Sequence, residues 1–129
     1  MLTRFQKLGS IAVGVTLWLV FIFVVRSIPW AFDGSWRSIL LFLLSIPLTY
    51  GFVVFLKRAV SLDAQSIFQA TALATMPALL LDSFVFTFIS SWYGATEARV
   101  RHGACFILWG AGMGMLMAWS MNTSKEVTK

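Results

Sequence analysis

The sequence predicts an all-α polytopic membrane protein, a single four-transmembrane-helix bundle occupying residues 1–129. Three observations carry that expectation. Hydrophobic residues make up 59% of the chain and charged residues only 12%. The apolar residues gather into four long runs separated by basic or polar turns. Each run approaches the ~20 residues that a helix needs to cross a hydrocarbon core and exceeds the ~10 of a barrel strand. A spanning segment must also satisfy its own backbone hydrogen bonds, which a helix does and an isolated strand does not. A chain of 129 residues holds about four such spans and little else.

The first span is expected over residues 8–25. Arg4 and Lys7 precede it in signal-peptide order, but the run is longer than an h-region of ~7–15 residues and no small-x-small cleavage site follows Arg26. It is therefore read as a retained helix. Pro29, Asp33 and Gly34 then break the helical pattern. The second span is expected over residues 38–56, ending at Lys57 and Arg58, and a polar connector leads to the third, residues 67–90. The fourth is expected over residues 103–121, followed by a polar, frayed tail over 122–129. No internal repeat is apparent from the residues.

The net charge of +5 comes from basic residues spread in pairs at the ends of apolar runs. That distribution suits anionic lipid headgroups, not nucleic acid, which requires a gathered patch. Arg4, Lys7, Lys57, Arg58, Lys125 and Lys129 share one side, against Arg26, Arg37, Arg99 and Arg101 on the other. Six against four favours both termini in the cytoplasm, because positive residues resist translocation. Trp30, Trp36, Trp92 and Tyr93 fall in the two outer loops, where amphipathic rings favour the headgroup level.

Asp82 is the one formal charge between residues 64 and 96, in the middle of an apolar run. A mid-membrane Asp costs roughly +2.5 to +3.5 kcal/mol, while each Leu, Ile, Phe or Val returns roughly 0.3–0.6 kcal/mol. Leu73, Leu79, Leu80, Leu81, Phe84, Val85, Phe86, Phe88 and Ile89 together offset that cost, so the span inserts with its acid facing the bundle. Thr71, Thr75 and Ala78 precede Asp82 by 11, 7 and 4 residues, which puts a small, polar stripe on the same helical face. Two roles compete for the carboxyl. One is a protonatable or cation-coupling site; the other is a structural acid that bonds a hydroxyl or pairs with Arg26, Arg37, Arg99 or Arg101, and the latter is favoured.

Other features point to packing. Pro47 and Pro77 lie inside the second and third spans and are expected to kink them, freeing the carbonyls of Leu43 and Leu73, with Thr49 and Tyr50 placed to reach a freed carbonyl or the polar face of the third span. Gly110, Gly114 and Ala118 form a small-residue row on the fourth span, suited to close helix contact within the bundle or between copies. Met113, Met115, Met117 and Met121 alternate around that helix as adaptable filler. His102 and Cys105 are the sole histidine and cysteine, too few to complete a metal shell. No G-x-S-x-G motif occurs, and Asp33, Asp63, Glu97 and Glu126 fall in loops or the tail. An enzyme, a metal and a cofactor are not expected.

Pro77-Ala78-Leu79-Leu80-Leu81-Asp82-Ser83-Phe84, followed by Leu108-Trp109-Gly110-Ala111-Gly112, resembles a family of small bacterial four-helix membrane proteins catalogued as a domain of unknown function. The likeness covers about half of the chain. A Gly usually follows the proline in that family, where this chain has Ala78, and the family's outer loop is commonly richer in proline than residues 90–102 here. The resemblance implies a four-span protein of the bacterial cytoplasmic (inner) membrane with its acid at Asp82 and brings no activity with it.

Two functions follow from these residues. The first is a small integral membrane protein acting as an accessory or assembly subunit, in contact with the lipid bilayer and with itself or a larger membrane complex. The alternative is a minimal proton-coupled small-molecule transporter using Asp82, similar to the small multidrug resistance class. That class carries its acid in the first helix, whereas the first span here has none.

Overall fold

The computed structural model describes residues 1–123. Four helices carry the described chain: α1 (Arg4–Ser27), α2 (Trp36–Ala59), α3 (Ile67–Phe88) and α4 (Glu97–Thr123), with short 3₁₀ turns at Pro29–Phe32, Ala64–Ser66 and Ser90–Trp92. All four helices are long and apolar enough to cross a membrane. At 1.5 Å per residue the shortest, α3, measures about 33 Å, enough for a ~30 Å core.

The helices extend beyond the expected spans because their ends are capped by polar residues that hydropathy excludes. Thr3 and Gln6 form a reciprocal capping box that starts α1 four residues before the apolar run. Ser35 caps α2, so Trp36 and Arg37 belong to its first turn. α4 begins at Glu97, and Arg99 and Arg101 therefore ride on a helix instead of lying in a loop. α3 is shorter than expected, since Ile89 leaves the helix with φ −137° and ψ 43° and Ser90 enters a 3₁₀ turn. Asn122 is not a frayed residue. It remains helical, accepting from the Phe68 backbone N–H at 3.4 Å and donating to the Gln65 carbonyl at 3.2 Å, which ties the end of α4 to the start of α3. Lys125, Glu126 and Lys129 lie outside the described residues. α2 and α3 run without interruption past Pro47 and Pro77. Thr49 and Ser45 close on carbonyls of Ser45 and Phe42, not on Leu43.

The helices pack in the order α1, α3, α4, α2, with α1 against α3 as the most extensive contact. Its basis is a pair of small residues one turn apart. Ser10 and Gly14 are buried on α1, and Ala70 and Ala74 are buried opposite on α3. A Cβ built on Gly14 would stand 1.9 Å from the Ala74 carbonyl oxygen, so the two backbones are in contact. On α4, a Cβ built on Gly114 would stand 3.5 Å from Thr49 Cγ2 of α2 and Ala118 is fully buried, whereas a Cβ on Gly110 would meet nothing within 4 Å.

Two apolar clusters fill the bundle. One, at the end carrying the N-terminus, gathers Leu2, Val53, Leu56, Val60, Leu62, Ile67, Ala70, Ala74 and Ala118. The other gathers Ile22, Val25, Ala31, Phe32, Val85, Tyr93 and Phe106. Phe106 is its hub, stacked on Phe21 and edge-on to Phe32 and Phe42, which joins α1, α2 and the first connector to α4.

The two connectors at that second end share one plan that the sequence did not disclose as a repeat. Residues 28–35 and 89–96 each open on an isoleucine whose N–H closes on a valine carbonyl four residues back, Val24 and Val85. Each then makes a 3₁₀ turn, buries an aromatic ring four residues on, Phe32 or Tyr93, and ends on a hydroxyl cap, Ser35 or Thr96. In the first connector Gly34 adopts φ +78°, beneath the His102 ring, where a side chain would be both strained and crowded.

The seam generates a test. Gly14→Ala is expected to lower resistance to denaturant by about 1–3 kcal/mol because the helices must part, whereas Gly112→Ala, on open surface, should change it by less than about 0.5 kcal/mol. Unfolding of the purified protein in mixed micelles measures both.

Candidate functional site: the embedded carboxyl and its two donors

Asp82 sits on the face of α3 that meets α1 and is 4% exposed. A carboxyl at such depth must find donors, since lipid offers none. Trp18, one turn beyond Gly14 on α1, supplies the first: its indole Nε1–H donates to Asp82 Oδ1 at 2.7 Å. The hydroxyl of Tyr93 donates to the same oxygen from the second connector. The 3₁₀ turn at Ser90–Trp92 folds the chain back over the end of α3, which brings Tyr93 to an acid eleven residues earlier. Stacking of its ring on Phe86, centroids 4.2 Å apart, holds the phenol in that direction.

Of the two partners expected for Asp82, a hydroxyl or an arginine, the structure shows a hydroxyl, that of Tyr93, and adds an indole. The hydrogen-bond partners of the carboxyl are an indole and a phenol, not Arg26, Arg37, Arg99 or Arg101. Arg26, Arg37 and Arg101 are exposed and Arg99 is half-buried in the first turn of α4. Tyr93, expected at the headgroup level, is 2% exposed and points into the bundle. Burial pushes its phenol above the usual tyrosine range, and the neighbouring carboxyl adds to the shift, so the hydroxyl stays a donor.

Neither threonine of the expected stripe bonds the acid. Thr71 is buried and bonds the Ile67 carbonyl at 2.9 Å, and Thr75 bonds the Thr71 carbonyl at 2.8 Å. Both hydroxyls are thus engaged by their own helix. Thr75 also lines an open groove of about 530 Å³ between α3 and α4, with Leu79, Ser83 and Gly112 among its walls; Asp82 is not among them.

A second indole bond mirrors the first. Trp109 Nε1–H of α4 donates to Ser45 Oγ of α2 at 2.9 Å, next to the tilted contact of its ring with Phe42. Trp18 joins α1 to α3 and Trp109 joins α4 to α2, so both sides of the bundle carry a part-buried indole tie. Elsewhere, His102 Nδ1 lies 2.9 Å from the Ala98 carbonyl and Cys105 is exposed on α4.

Sequence reasoning located the acid and missed both donors. Trp18 was legible in hindsight, because Ser10, Gly14 and Trp18 follow one another at intervals of four and share a helical face. Tyr93 was not, since its inward direction depends on a turn that periodicity cannot register. The chain matches no family model, and neither a curated protein nor a solved structure matches it.

Removing a donor should expose the cost of a partly satisfied carboxyl. Tyr93→Phe is expected to destabilise the protein by about 1–3 kcal/mol, and less when Asp82 is already Asn, which a double-mutant cycle in micelles reads directly. The raised phenol gives a second test. Its contribution to stability is complete below the ordinary tyrosine value near ~10 and is lost as the pH climbs from there toward the folded-state value. In a Tyr50→Phe background, where Tyr93 is the remaining tyrosine, phenolate absorbance should therefore appear only together with alkaline unfolding.

Proposed function

We propose that this chain is a small multi-pass protein of the bacterial cytoplasmic membrane that serves as an accessory or assembly subunit. Its embedded acid holds the bundle together instead of moving a proton. The observation that carries this reading is the convergence of Trp18 and Tyr93 on one carboxyl oxygen of Asp82. A coupling carboxyl must exchange its proton with water on alternate sides of the membrane. This one is closed over by two aromatic donors of its own chain, and the groove between α3 and α4 is walled by other residues. What remains available for function is the lipid-facing surface, on which α1 and α2 display Leu19, Phe23, Leu40, Leu44 and Leu48. Such a surface suits contact with other membrane helices and with acyl chains.

The distribution of positive residues supports cytoplasmic termini. Arg4 and Lys7 start α1, and Lys57 and Arg58 end α2, at the end of the bundle opposite the two aromatic connectors. Trp30 and Trp92, both exposed on those connectors, suit the opposite headgroup layer.

Asp82→Asn separates this reading from a proton-coupled transporter, because the amide keeps an acceptor for Trp18 and Tyr93 while losing the ionisable proton. Under the proposal, the variant accumulates and migrates on native gels as the wild type does, whereas Asp82→Ala, which removes the acceptor, lowers accumulation. Proton-driven movement of a lipophilic cation in proteoliposomes, present in wild type and abolished in a folded Asp82→Asn, would replace the proposal with the transporter.

A further inference from the structure

The start of α2 holds a cation in an unusual setting. Arg37 occupies the second position of the helix, where the positive end of the macrodipole opposes it. Its guanidinium carbon lies 5.7 Å from the centre of the Trp30 ring and 5.8 Å from that of Trp36, so two indoles hold one cation. Both rings are exposed, Trp30 by 53% and Trp36 by 65%. The nearest acid in sequence, Asp33, is committed elsewhere. Its Oδ1 accepts from the Ser35 N–H at 2.9 Å, and Ser35 holds its carboxyl below the usual carboxylate range, with Arg37 adding only a minor pull.

We infer that Trp30, Trp36 and Arg37 form a headgroup site for an anionic phospholipid at the connector end of the bundle. A guanidinium presents a planar fork of N–H donors that matches a phosphate in two-point contact. Packing against two rings fixes the direction of that fork and leaves the charge intact. Indoles at the end of a membrane-crossing helix sit at headgroup depth, so the anion that this fork meets is the lipid phosphodiester. The surrounding charge favours an anionic lipid over a zwitterionic one. Arg26, Arg37, Arg99 and Arg101 lie at this end against Asp33 and Glu97, four positive charges to two negative. The site rests on the chain crossing a membrane and holds whether or not the protein joins a larger complex.

Native mass spectrometry of the detergent-solubilised full chain, titrated with phosphatidylglycerol, phosphatidylcholine or inorganic phosphate, tests the inference. Phosphatidylglycerol should bind in preference to phosphatidylcholine, and millimolar phosphate should not displace it. Arg37→Gln should weaken binding about tenfold. Arg37→Lys should recover little of it, because an ammonium lacks the planar fork, and Trp36→Leu should weaken it several-fold with the charge retained. Arg26→Gln, which removes an equal charge from the same end, should change it less than twofold. Equal losses for Arg26→Gln and Arg37→Gln would reduce the effect to general attraction and overturn the site. Equal binding of phosphatidylcholine, or displacement by free phosphate, would overturn the assignment of the ligand.

Discussion

A carboxyl group inside an apolar helix constrains everything around it, because in lipid it can be satisfied only by donors that the protein itself brings. Asp82 meets that requirement with an indole from α1 and a phenol from the second connector, both on one oxygen. To deliver the indole, α1 must lie close to α3, and it does so through Ser10 and Gly14 against Ala70 and Ala74. To deliver the phenol, the chain must turn back over α3 immediately after Phe88. The acid therefore couples a helix seam to a connector, and three separate stretches of sequence are held to one geometry.

This matters more in a membrane than in water. Apolar side chains gain little by leaving lipid for each other, so close backbone contact and buried polar ties carry the specificity of helix pairing. The protein uses both. α1 and α3 meet through small residues and the Trp18–Asp82 bond, while α4 and α2 meet at Gly114 beside Thr49 and through the bond from Trp109 to Ser45. Phe106, in contact with Phe21, Phe32 and Phe42, then fits the two sides together at the connector end. The likeness between the connectors sharpens the point. Phe32 and Tyr93 occupy equivalent buried positions, and the one hydroxyl by which they differ reaches the buried acid Asp82.

Much of the architecture was legible in the residues. Four spans, their order and the inward direction of Asp82 followed from run lengths and from the cost of a charge in lipid. Helix ends were less so, because Thr3, Ser35 and Asn122 extend or anchor helices by hydrogen bonds that hydropathy does not register. The conspicuous glycines of α4 drew attention from Ser10 and Gly14, although small residues four apart carry the same meaning on any span. Of the hydroxyl or arginine expected for the acid, the structure uses a hydroxyl and adds an indole, neutral donors that satisfy the carboxyl without bringing a second charge into the apolar region.

The central claim, that an α1 indole is bonded to the α3 acid within the bilayer, is open to direct measurement by hydrogen–deuterium exchange of ¹⁵N-labelled tryptophan indoles in lipid bilayers. The Trp18 indole proton should exchange far more slowly than that of exposed Trp30, and should lose this protection in Asp82→Ala. Exchange at Trp18 as fast as at Trp30, or protection unchanged when the carboxyl is removed, would contradict the account.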